Sequence, residues 1–467
     1  MLIVLILFTV YLILATQRPD IMFWLALTIF LDPGGYLFYY VGRSMIGGLQ
    51  LTDVTFILLL IPLISPKINV RSFFRQPDNK WIFRYLLFFA LFYHIFVFGF
   101  VTTGYDFNSF LDTLRYRRLD IWGFLAVIPA YIFFRRSMPL MLKFSVVTST
   151  LLIILYLIRL STEIPVLPLW TGERGLGIQA MRVSMYRYGF AYWFIYAALI
   201  NYIFRLNLPL KRLIYFIGVT LSIAVILTLT RRSIIFLILS MVVIYILSQR
   251  IMFNRIISIK AARIILVAGM FLLALSIFAP SYVKHTVLMF ENSFSPTGEN
   301  GNEVLQADVR VDHDMPGHLA RFRQKPILGY GYNMLWYSNA VEEGGLSAND
   351  VPLTAALGMF GIVGAGLFAF FYFRIIKVLI SAYRVLRKLY QYSLVRRNAI
   401  MFTILLALIV NFLSTYTISF MSFFTDIVDG PVRVVNMIYV GFLLASRDML
   451  SASLATGNQE PLFQDSV

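Results

Sequence analysis

The chain has 467 residues, of which 59% are hydrophobic and 13% are charged, and its mean hydropathy is +0.78. Soluble domains carry about 25% charged residues, so this composition excludes an ordinary water-soluble protein. Cysteine is absent, which excludes disulfides and thiolate metal sites, and the 4 histidines are too few to suggest a metal cluster. The formal net charge of +17 would suit a nucleic-acid partner, but its distribution along the chain favours a membrane protein without one.

Apolar stretches recur from Leu2 to Leu444, with no polar domain large enough to fold separately. A helix needs about 20 apolar residues to cross a bilayer, or fewer when aromatic residues anchor its ends. We therefore predict an all-α, polytopic membrane protein of about thirteen helices (twelve to fourteen), with one transmembrane domain over residues 1–447. Residues 448–467 resemble a disordered cytoplasmic tail. The predicted spans are Leu2–Ala15, Ile21–Tyr40, Leu51–Ile64, Trp81–Val101, Leu119–Phe134, Pro139–Ile158, Tyr188–Phe204, Leu213–Thr230, Ser233–Leu247, Ile264–Phe278, Val351–Phe373, Ala399–Phe424 and Val434–Leu444.

Basic residues predict the orientation, because cytoplasmic loops gather Lys and Arg. Every second loop is basic, from Arg18 to Arg447, which places the N-terminus outside and the C-terminus in the cytoplasm. The first apolar run then reads as a span rather than a cleaved signal peptide. The largest outer loop, residues 280–350, holds more acids than bases and is where we expect the chemistry. The outer exceptions to the charge rule are Arg115, Arg117 and Arg118.

Two adjacent arginines, Arg231 and Arg232, lie at the predicted outer edge of the membrane between two spans. One interpretation is that they snorkel to the interface, or pair with an outer-loop acid such as Asp308 or Glu342. The other is a functional one, because the planar guanidinium fork suits the oxygens of a phosphate group. The sequence leaves both interpretations open.

The outer loop carries a second set of basic residues with two histidines between them. Either this set is a solvated face of the loop, or it takes part in a site. The turn that follows, Pro326-Ile-Leu-Gly329-Tyr-Gly331-Tyr, has the small residues and aromatics of a packed turn. The glycine pair is not a nucleotide fingerprint, because no strand, turn and helix surround it. The residues of the set are Arg310, His313, His318, Arg321, Arg323 and Lys325.

Asp350 stands where the chain returns to the membrane, just before Pro352. It could cap the next helix, since proline favours the first helical turn. It could also be a general base, because a low-dielectric boundary raises a carboxyl pKa. Gly358, Gly361 and Gly364 behind it suit close helix packing.

Aromatic residues crowd the outer side of the protein. Most fit an aromatic belt at the membrane interface. Sugar faces also stack on such rings, so some could line a glycan groove. The candidates for such a groove are Trp170, Tyr330, Trp336 and Tyr337.

These motifs resemble those of the O-antigen ligase and Wzy-type polysaccharide polymerase superfamily. Thr228-Leu-Thr-Arg231 is similar to the family's Thr-x-Ser-Arg step. Arg310 precedes the Pro-x-x-Gly-x-Gly turn by about sixteen positions, as the family arginine does. Asp350, followed by Gly361-Ile-Val-Gly364, stands where ligases carry His-Asn and Gly-Leu-Ile-Gly. The histidine is missing here, and a shift of a few residues would align Ser347 instead.

The resemblance implies a GT-C-like glycosyltransferase in the bacterial inner membrane that needs neither metal nor cofactor. It would transfer a glycan from an undecaprenyl-pyrophosphate donor to a sugar hydroxyl on the outer leaflet. Arg231 or Arg232, with Arg310, would hold the pyrophosphate and stabilise its growing charge. Asp350 or His318 would take the acceptor proton. Membrane lipids and a chain-length regulator protein would be its partners.

The missing histidine favours a polymerase over a ligase that transfers glycan to lipid A core. A transporter or flippase of lipid-linked sugars is a separate alternative, and it predicts charged residues deep inside the spans. The main candidates for such residues are Asp53 and His94. In a third alternative, the outer loop only binds an assembly protein.

Overall fold

The computed structural model describes residues 2–31, 45–46, 49–101, 111, 118–161, 169–174, 178–183, 189–227, 231–252, 315–329, 352–418 and 430–455. These ranges are mainly helical. The first half contains α1 (Leu2–Gln17), α2 (Pro19–Leu31), α3 (Leu51–Leu60), α4 (Arg71–Phe74), α5 (Pro77–Phe89), α6 (Arg118–Trp122) and α7 (Val127–Ser161). The second half contains α8 (Gly189–Phe204), α9 (Lys211–Leu227), α10 (Arg231–Met252), α11 (Met315–Gln324), α12 (Pro352–Gln391), α13 (Ala399–Ile418) and α14 (Gly430–Ala455).

Short irregular pieces extend these helices. A π-helical segment over Ala90–Val101 continues α5, and a 3-10 turn over Gly123–Ala126 joins α6 to α7. Two antiparallel hairpins add to the predicted all-α fold. The smaller pairs β1 (Met45–Ile46) with β2 (Leu49–Gln50), and the larger pairs β3 (Leu169–Arg174) with β4 (Ile178–Val183).

Four helical stretches among the described residues are long and apolar enough to cross a membrane. They are Pro77–Val97, Gly123–Leu155, Leu357–Gln391 and Val434–Ala455. Every predicted span except Ile264–Phe278 overlaps a described helix, and that span lies outside the described residues. The chain is therefore a helical membrane protein, while the count of thirteen spans stays a prediction.

The packing of helix pairs reveals their relative directions. A Cβ on Gly123 would lie 2.9 Å from Val434, and one on Gly441 would lie 2.7 Å from the Cβ of Ala130. Contacts thus advance together along residues 123–130 and 434–441, so the stretch that leads into α7 runs parallel to the start of α14. Both belong to predicted spans that enter from the outer side, so this direction agrees with the predicted alternation.

An aromatic ladder joins α5 to α12 in the opposite sense. Trp81 lies 5.6 Å from Phe370, and Tyr93 at the other end of the ladder lies 5.9 Å from Phe360. Between them, the Tyr85 hydroxyl donates to the carbonyl oxygen of Leu367. The two helices are antiparallel, as the predicted alternation requires. Ring pairs of this kind add about 0.5–1.5 kcal/mol each beyond the area that they bury.

Polar contacts gather several helix ends at one face of the bundle. Lys67 Nζ donates to the carbonyl oxygen of Gln17 at 2.8 Å, and Arg136 Nε lies 2.9 Å from the carboxylate of Asp20. Arg136 Nη1 also donates to the carbonyl oxygen of Lys67 at 2.9 Å. Because these residues come from α1, α2, α7 and the segment after α3, the ends of those helices share a face. The positive-inside rule predicts that this face is the cytoplasmic one.

A cluster of charged residues ties the C-terminal helix to the same part of the structure. Arg447 Nη1 lies 2.6 Å from Asp78, and Arg447 Nη2 lies 2.8 Å from Asp448. The Tyr131 hydroxyl donates to Asp448 at 2.8 Å and accepts from Arg135 Nη1 at 2.8 Å. The cluster therefore links α14 to α7 and to the first turn of α5.

The predicted start of the disordered tail at residue 448 is wrong. Helix α14 continues to Ala455, and Met449 and Leu450 are buried. Hydrophobicity falls after Leu444, which suggested the end of the ordered domain. The ion pairs of Arg447 and the packing of Leu450 extend the helix, and the sequence pattern does not show either.

The two predicted spans on either side of Arg135 and Arg136 are two helices that meet at a break within α7. The backbone at Ser137 is non-helical, with φ −140° and ψ 38°, two residues before Pro139. Proline disfavours the helical conformation in the residue before it and removes a backbone donor, which accounts for a break in this region. The indole N–H of Trp24 donates to Ser137 Oγ at 2.9 Å and secures the break against α2.

Candidate functional site

The described part of the predicted outer loop, residues 280–350, is a compact unit that consists of α11 and the turn after it. The turn closes through two backbone hydrogen bonds. The N–H of Lys325 donates to the carbonyl of Arg321, and the N–H of Gly329 donates to the carbonyl of Lys325, both at 3.1 Å. We call residues 315–329 the docked segment, because the whole unit packs on α12. The interpretation of Pro326–Gly329 as a packed turn is confirmed.

The docked segment meets α12 where that helix is broken. Gly361 has φ 64° and ψ −172°, a conformation that is essentially restricted to glycine. A break exposes backbone N–H groups that an intact helix would satisfy. The docked segment supplies their acceptors: the N–H of Ile362 donates to the carbonyl of Pro326 at 2.8 Å, and that of Val363 to the carbonyl of Ile327 at 3.2 Å.

Glycines on both sides allow the two backbones to approach closely. A Cβ on Gly361 would lie 2.3 Å from the carbonyl oxygen of Ile327. A Cβ on Gly329, which has φ +74°, would lie 2.2 Å from the carbonyl oxygen of Met359. One turn earlier in α12, a Cβ on Gly358 would lie 3.1 Å from the carbonyl oxygen of His318. Side chains at these positions would separate the docked segment from α12.

Tyr93 supports the break from the α5 side. Its hydroxyl donates to the carbonyl oxygen of Phe360 at 3.2 Å. Its ring lies so close to Gly364 that a Cβ there would be 3.0 Å from the ring. The prediction that Gly358 and Gly364 serve close packing is confirmed. The same prediction for Gly361 is incomplete, because this glycine also breaks the helix.

His318 is the one predicted catalytic residue whose side chain the structure describes. It is 1% exposed and lies on the α11 face that packs against Gly358. Three bases share its segment: Arg321 is half-buried, and Arg323 and Lys325 are exposed. Cations suit the last turn of a helix, because the helix dipole is negative there. The segment thus presents positive charge at its surface around a buried histidine.

The other predicted site residues divide into two groups. The backbone of Arg231 and Arg232 lies in the first turn of α10. The backbone of Trp170 lies on β3, opposite Arg182. The side chains of these residues are not among those that the structure describes. The rest lie wholly outside the described residues; they are Arg310, His313, Tyr330, Trp336, Tyr337 and Asp350.

The two ends of the segment 330–351 are nevertheless anchored at one place. Gly329 contacts Met359, and α12 begins at Pro352, seven residues and so about 10 Å earlier along the same helix. The chain therefore leaves the docked segment and returns to α12 within a short distance. Asp350 lies two residues before that return.

Asp53 and Arg118 form a pair that sequence reasoning missed. Arg118 Nη2 lies 2.7 Å from Asp53 Oδ2, and the Asp53 side chain is only 9% exposed. Arg118 was an exception to the charge rule, and Asp53 was a candidate residue of a transport pathway. Their pairing accounts for both as structural partners at the start of α3 and α6. His94, the other candidate residue of a transport pathway, lies in the π-helical segment, and its side chain is not among those that the structure describes.

We expect this pair to contribute a coupling free energy of about 1–2 kcal/mol, because the bond is charge-assisted and half-buried. Asp53→Asn, Arg118→Gln and the double variant form the mutant cycle, measured by thermal unfolding of the purified protein in detergent. Additive effects of the two substitutions would contradict the pairing.

No group of three His, Cys, Asp or Glu side chains within the described ranges is arranged to hold a metal ion. No protein-family model, curated protein or solved structure matches the chain. The class that the described residues define is a helical membrane protein with a basic loop segment docked into a glycine break.

Proposed function

We propose that this protein is a membrane glycosyltransferase that polymerises undecaprenyl-pyrophosphate-linked oligosaccharide units on the outer leaflet. One observation carries the proposal: the docked segment holds a basic stretch of the outer loop rigidly against the break at Gly361. A catalytic loop needs such an anchor, because sites held on rigid elements keep their geometry. The anchor also brings both ends of the segment that contains Asp350 and the aromatic residues to the start of α12.

The proposed reaction breaks the bond between the anomeric carbon of the donor sugar and its phosphate oxygen. A hydroxyl oxygen of the acceptor sugar forms the new bond to that carbon, and undecaprenyl pyrophosphate leaves with the bonding electrons. Negative charge grows on the pyrophosphate as the bond breaks, and fixed guanidinium groups would stabilise it. We assign this role to Arg310 and to Arg231 or Arg232, since arginine binds phosphate in a bidentate manner.

The acceptor proton would pass to a carboxylate or an imidazole. A general base must come within hydrogen-bond reach of the proton that it takes. His318 is 1% exposed and packs between α11 and α12, so it suits a positioning role better than contact with a sugar. We therefore assign the base to Asp350, which precedes the first turn of α12. Trp170, Tyr330, Trp336 and Tyr337 would stack on the sugar rings.

Arginine-to-lysine substitutions test the phosphate-binding role. Arg231→Lys, Arg232→Lys and Arg310→Lys keep the charge but lose the bidentate fork. We expect Arg310→Lys and at least one of the other two to lower polymer formation by about a hundredfold, as for loss of a fixed transition-state donor. The measurement uses purified protein in detergent with a lipid-linked repeat unit, and product length is read by gel electrophoresis. Arg205→Lys, on the predicted cytoplasmic side, is the matched control.

The same assay discriminates the alternatives. Purified protein that joins lipid-linked units without a second compartment would exclude a pure transporter. In cells that lack the gene, a polymerase defect leaves single repeat units on the lipid carrier. Full-length polymer stranded on that carrier would instead indicate a ligase that uses lipid A core. Wild-type polymer from all three lysine variants would overturn the assignment of the arginines.

A further inference from the structure

The last part of α12 carries a stripe of cations. Arg374, Lys377, Arg384 and Lys388 lie within an arc of about 80° when successive residues are placed 100° apart on a helix. Lys377, Arg384 and Lys388 are exposed, and Arg374 is half-buried. We call these four residues the basic stripe. Because the four side chains share one face of the helix, a single layer of ligand molecules can contact all of them.

The exposed residues of α12 change character along its length. Toward the break they are mainly apolar, with Phe370, Phe373, Ile376 and Ile380 all at least 45% exposed, and Lys377 is the charged exception whose long stem can carry its amine toward the headgroups. Beyond Ile380 the exposed positions of α12 are Arg384, Lys388 and Gln391. Surfaces in contact with lipid tails are apolar and those at headgroups are charged or aromatic. The change therefore marks the edge of the hydrocarbon layer.

The length of the helix supports this boundary. The part of α12 after the break runs from Ile362 to Gln391, and its 30 residues are about 45 Å long. A hydrocarbon core is about 30 Å thick, so about 15 Å of helix extends past it. Arg384 and Lys388 belong to this extension. They lie at the depth of lipid headgroups, at the opposite end of α12 from the docked segment.

Aromatic rings hold the inner two cations of the stripe in place. The guanidinium carbon of Arg374 lies 4.7 Å from the centroid of the Trp81 ring and 5.7 Å from that of Phe370. Lys377 Nζ lies 4.5 Å from the centroid of the Phe373 ring. Stacking orders a cation without neutralising its charge, and the edge of a stacked guanidinium can still donate hydrogen bonds.

The sequence provides little negative charge to offset the stripe. No Asp or Glu occurs between Asp350 and Asp426, so α12 contains no internal counter-ion. In the described helices α5 and α14 beside it, the acids are Asp78 and Asp448, and both are ion-paired with Arg447. An external anion is therefore the chemical complement of the stripe.

We propose that the basic stripe binds the phosphate headgroups of anionic phospholipids in the leaflet at that end of α12. Position selects the lipid over a soluble anion, because the stripe continues directly from the lipid-facing apolar surface of the same helix. Each Lys or Arg near an anionic surface contributes favourably to such binding. The proposal does not depend on the glycosyltransferase activity and stands or falls separately from it.

Thermal unfolding of the purified full chain in neutral detergent micelles tests the proposal. Dioleoyl phosphatidylglycerol, dioleoyl phosphatidylcholine and inorganic phosphate are titrated in parallel, and the rise in Tm gives the apparent affinity. We expect a saturable rise with phosphatidylglycerol alone. Arg384→Gln/Lys388→Gln should weaken this binding at least tenfold. Lys211→Gln/Arg212→Gln removes the same charge from exposed positions in the first turn of α9 and should change it less than twofold.

Other outcomes overturn the proposal in identifiable ways. Equal weakening by both double variants would mean that net charge, rather than this face, attracts the lipid. An equal rise with inorganic phosphate would assign the stripe to a soluble anion. No rise with phosphatidylglycerol would leave the face to another partner, such as an acidic protein. The exposed positions of Arg384 and Lys388 should leave the lipid-free Tm unchanged, which verifies that the variant folds.

Discussion

Gly361→Ala should release the docked segment and lower polymer formation at least a hundredfold. Alanine strains the backbone at φ 64° and ψ −172°, and its Cβ would lie 2.3 Å from the Ile327 carbonyl oxygen. The strain and the loss of two backbone hydrogen bonds together cost about 3–5 kcal/mol at the contact. Trypsin should then cut after Arg321 and Arg323 at least ten times faster, as followed by mass spectrometry of the purified protein.

Two other glycines of α12 provide a graded comparison. A Cβ on Gly366 would point into open space, with no contacting atom within 4 Å, so Gly366→Ala should retain wild-type protection and activity. Gly358→Ala meets the His318 carbonyl at 3.1 Å and should have an intermediate effect. Full polymer and unchanged trypsin protection in Gly361→Ala would show that docking does not depend on a glycine at this position.

Arg447→Met should be among the most destabilising single substitutions in the part of the chain that the structure describes. It removes the cation that pairs with Asp78 and Asp448, and the Asp448 side chain is only 10% exposed. Removal of one partner from a buried ion pair costs about 3–5 kcal/mol, because the remaining charge is poorly solvated. The Tm in detergent should fall accordingly, and the yield of folded protein should decrease with it.

Two variants identify the cause of that loss. Arg84 is exposed on α5, so Arg84→Met should change the stability by less than about 0.5 kcal/mol. Arg447→Met/Asp448→Asn removes the uncompensated charge and should recover part of the lost stability. If the double variant is as unstable as Arg447→Met, the packing of the arginine stem, rather than the buried carboxylate, is responsible.

The membrane character of this protein follows from its sequence, because the composition and length of each apolar stretch determine whether it can cross a bilayer. Most predicted spans lie on helices in the described residues, and the parallel stretches 123–130 and 434–441 and the antiparallel pair α5 and α12 agree with the predicted alternation. The charge rule also anticipates which helix ends meet, as the contact between Lys67 and Gln17 confirms. Each of these features depends on residues that are close together in the chain.

Contacts between distant residues could not be predicted in the same way. Asp53 and Arg118 are 65 positions apart, so neither the pathway interpretation of Asp53 nor the exception at Arg118 suggested the pair. The fall in hydrophobicity after Leu444 predicts a disordered tail from residue 448. The contacts that order Arg447 and Asp448 come from Asp78 and Tyr131, which are far away in the sequence. Interaction partners of charged residues depend on which helices become neighbours, and hydrophobic periodicity does not encode this.

The candidate site also combines features that the sequence predicts with features that only the tertiary structure reveals. The sequence by itself identified a glycine-containing turn in the outer loop, the basic residues before it and a glycine-rich stretch at the start of α12. Only the tertiary structure joined them: the turn docks into a break at Gly361, and its carbonyl oxygens accept from Ile362 and Val363. The physical reason is that a glycine is equally compatible with close packing and with a left-handed backbone. The segment that packs against the glycine determines whether it serves close packing or adopts a left-handed backbone.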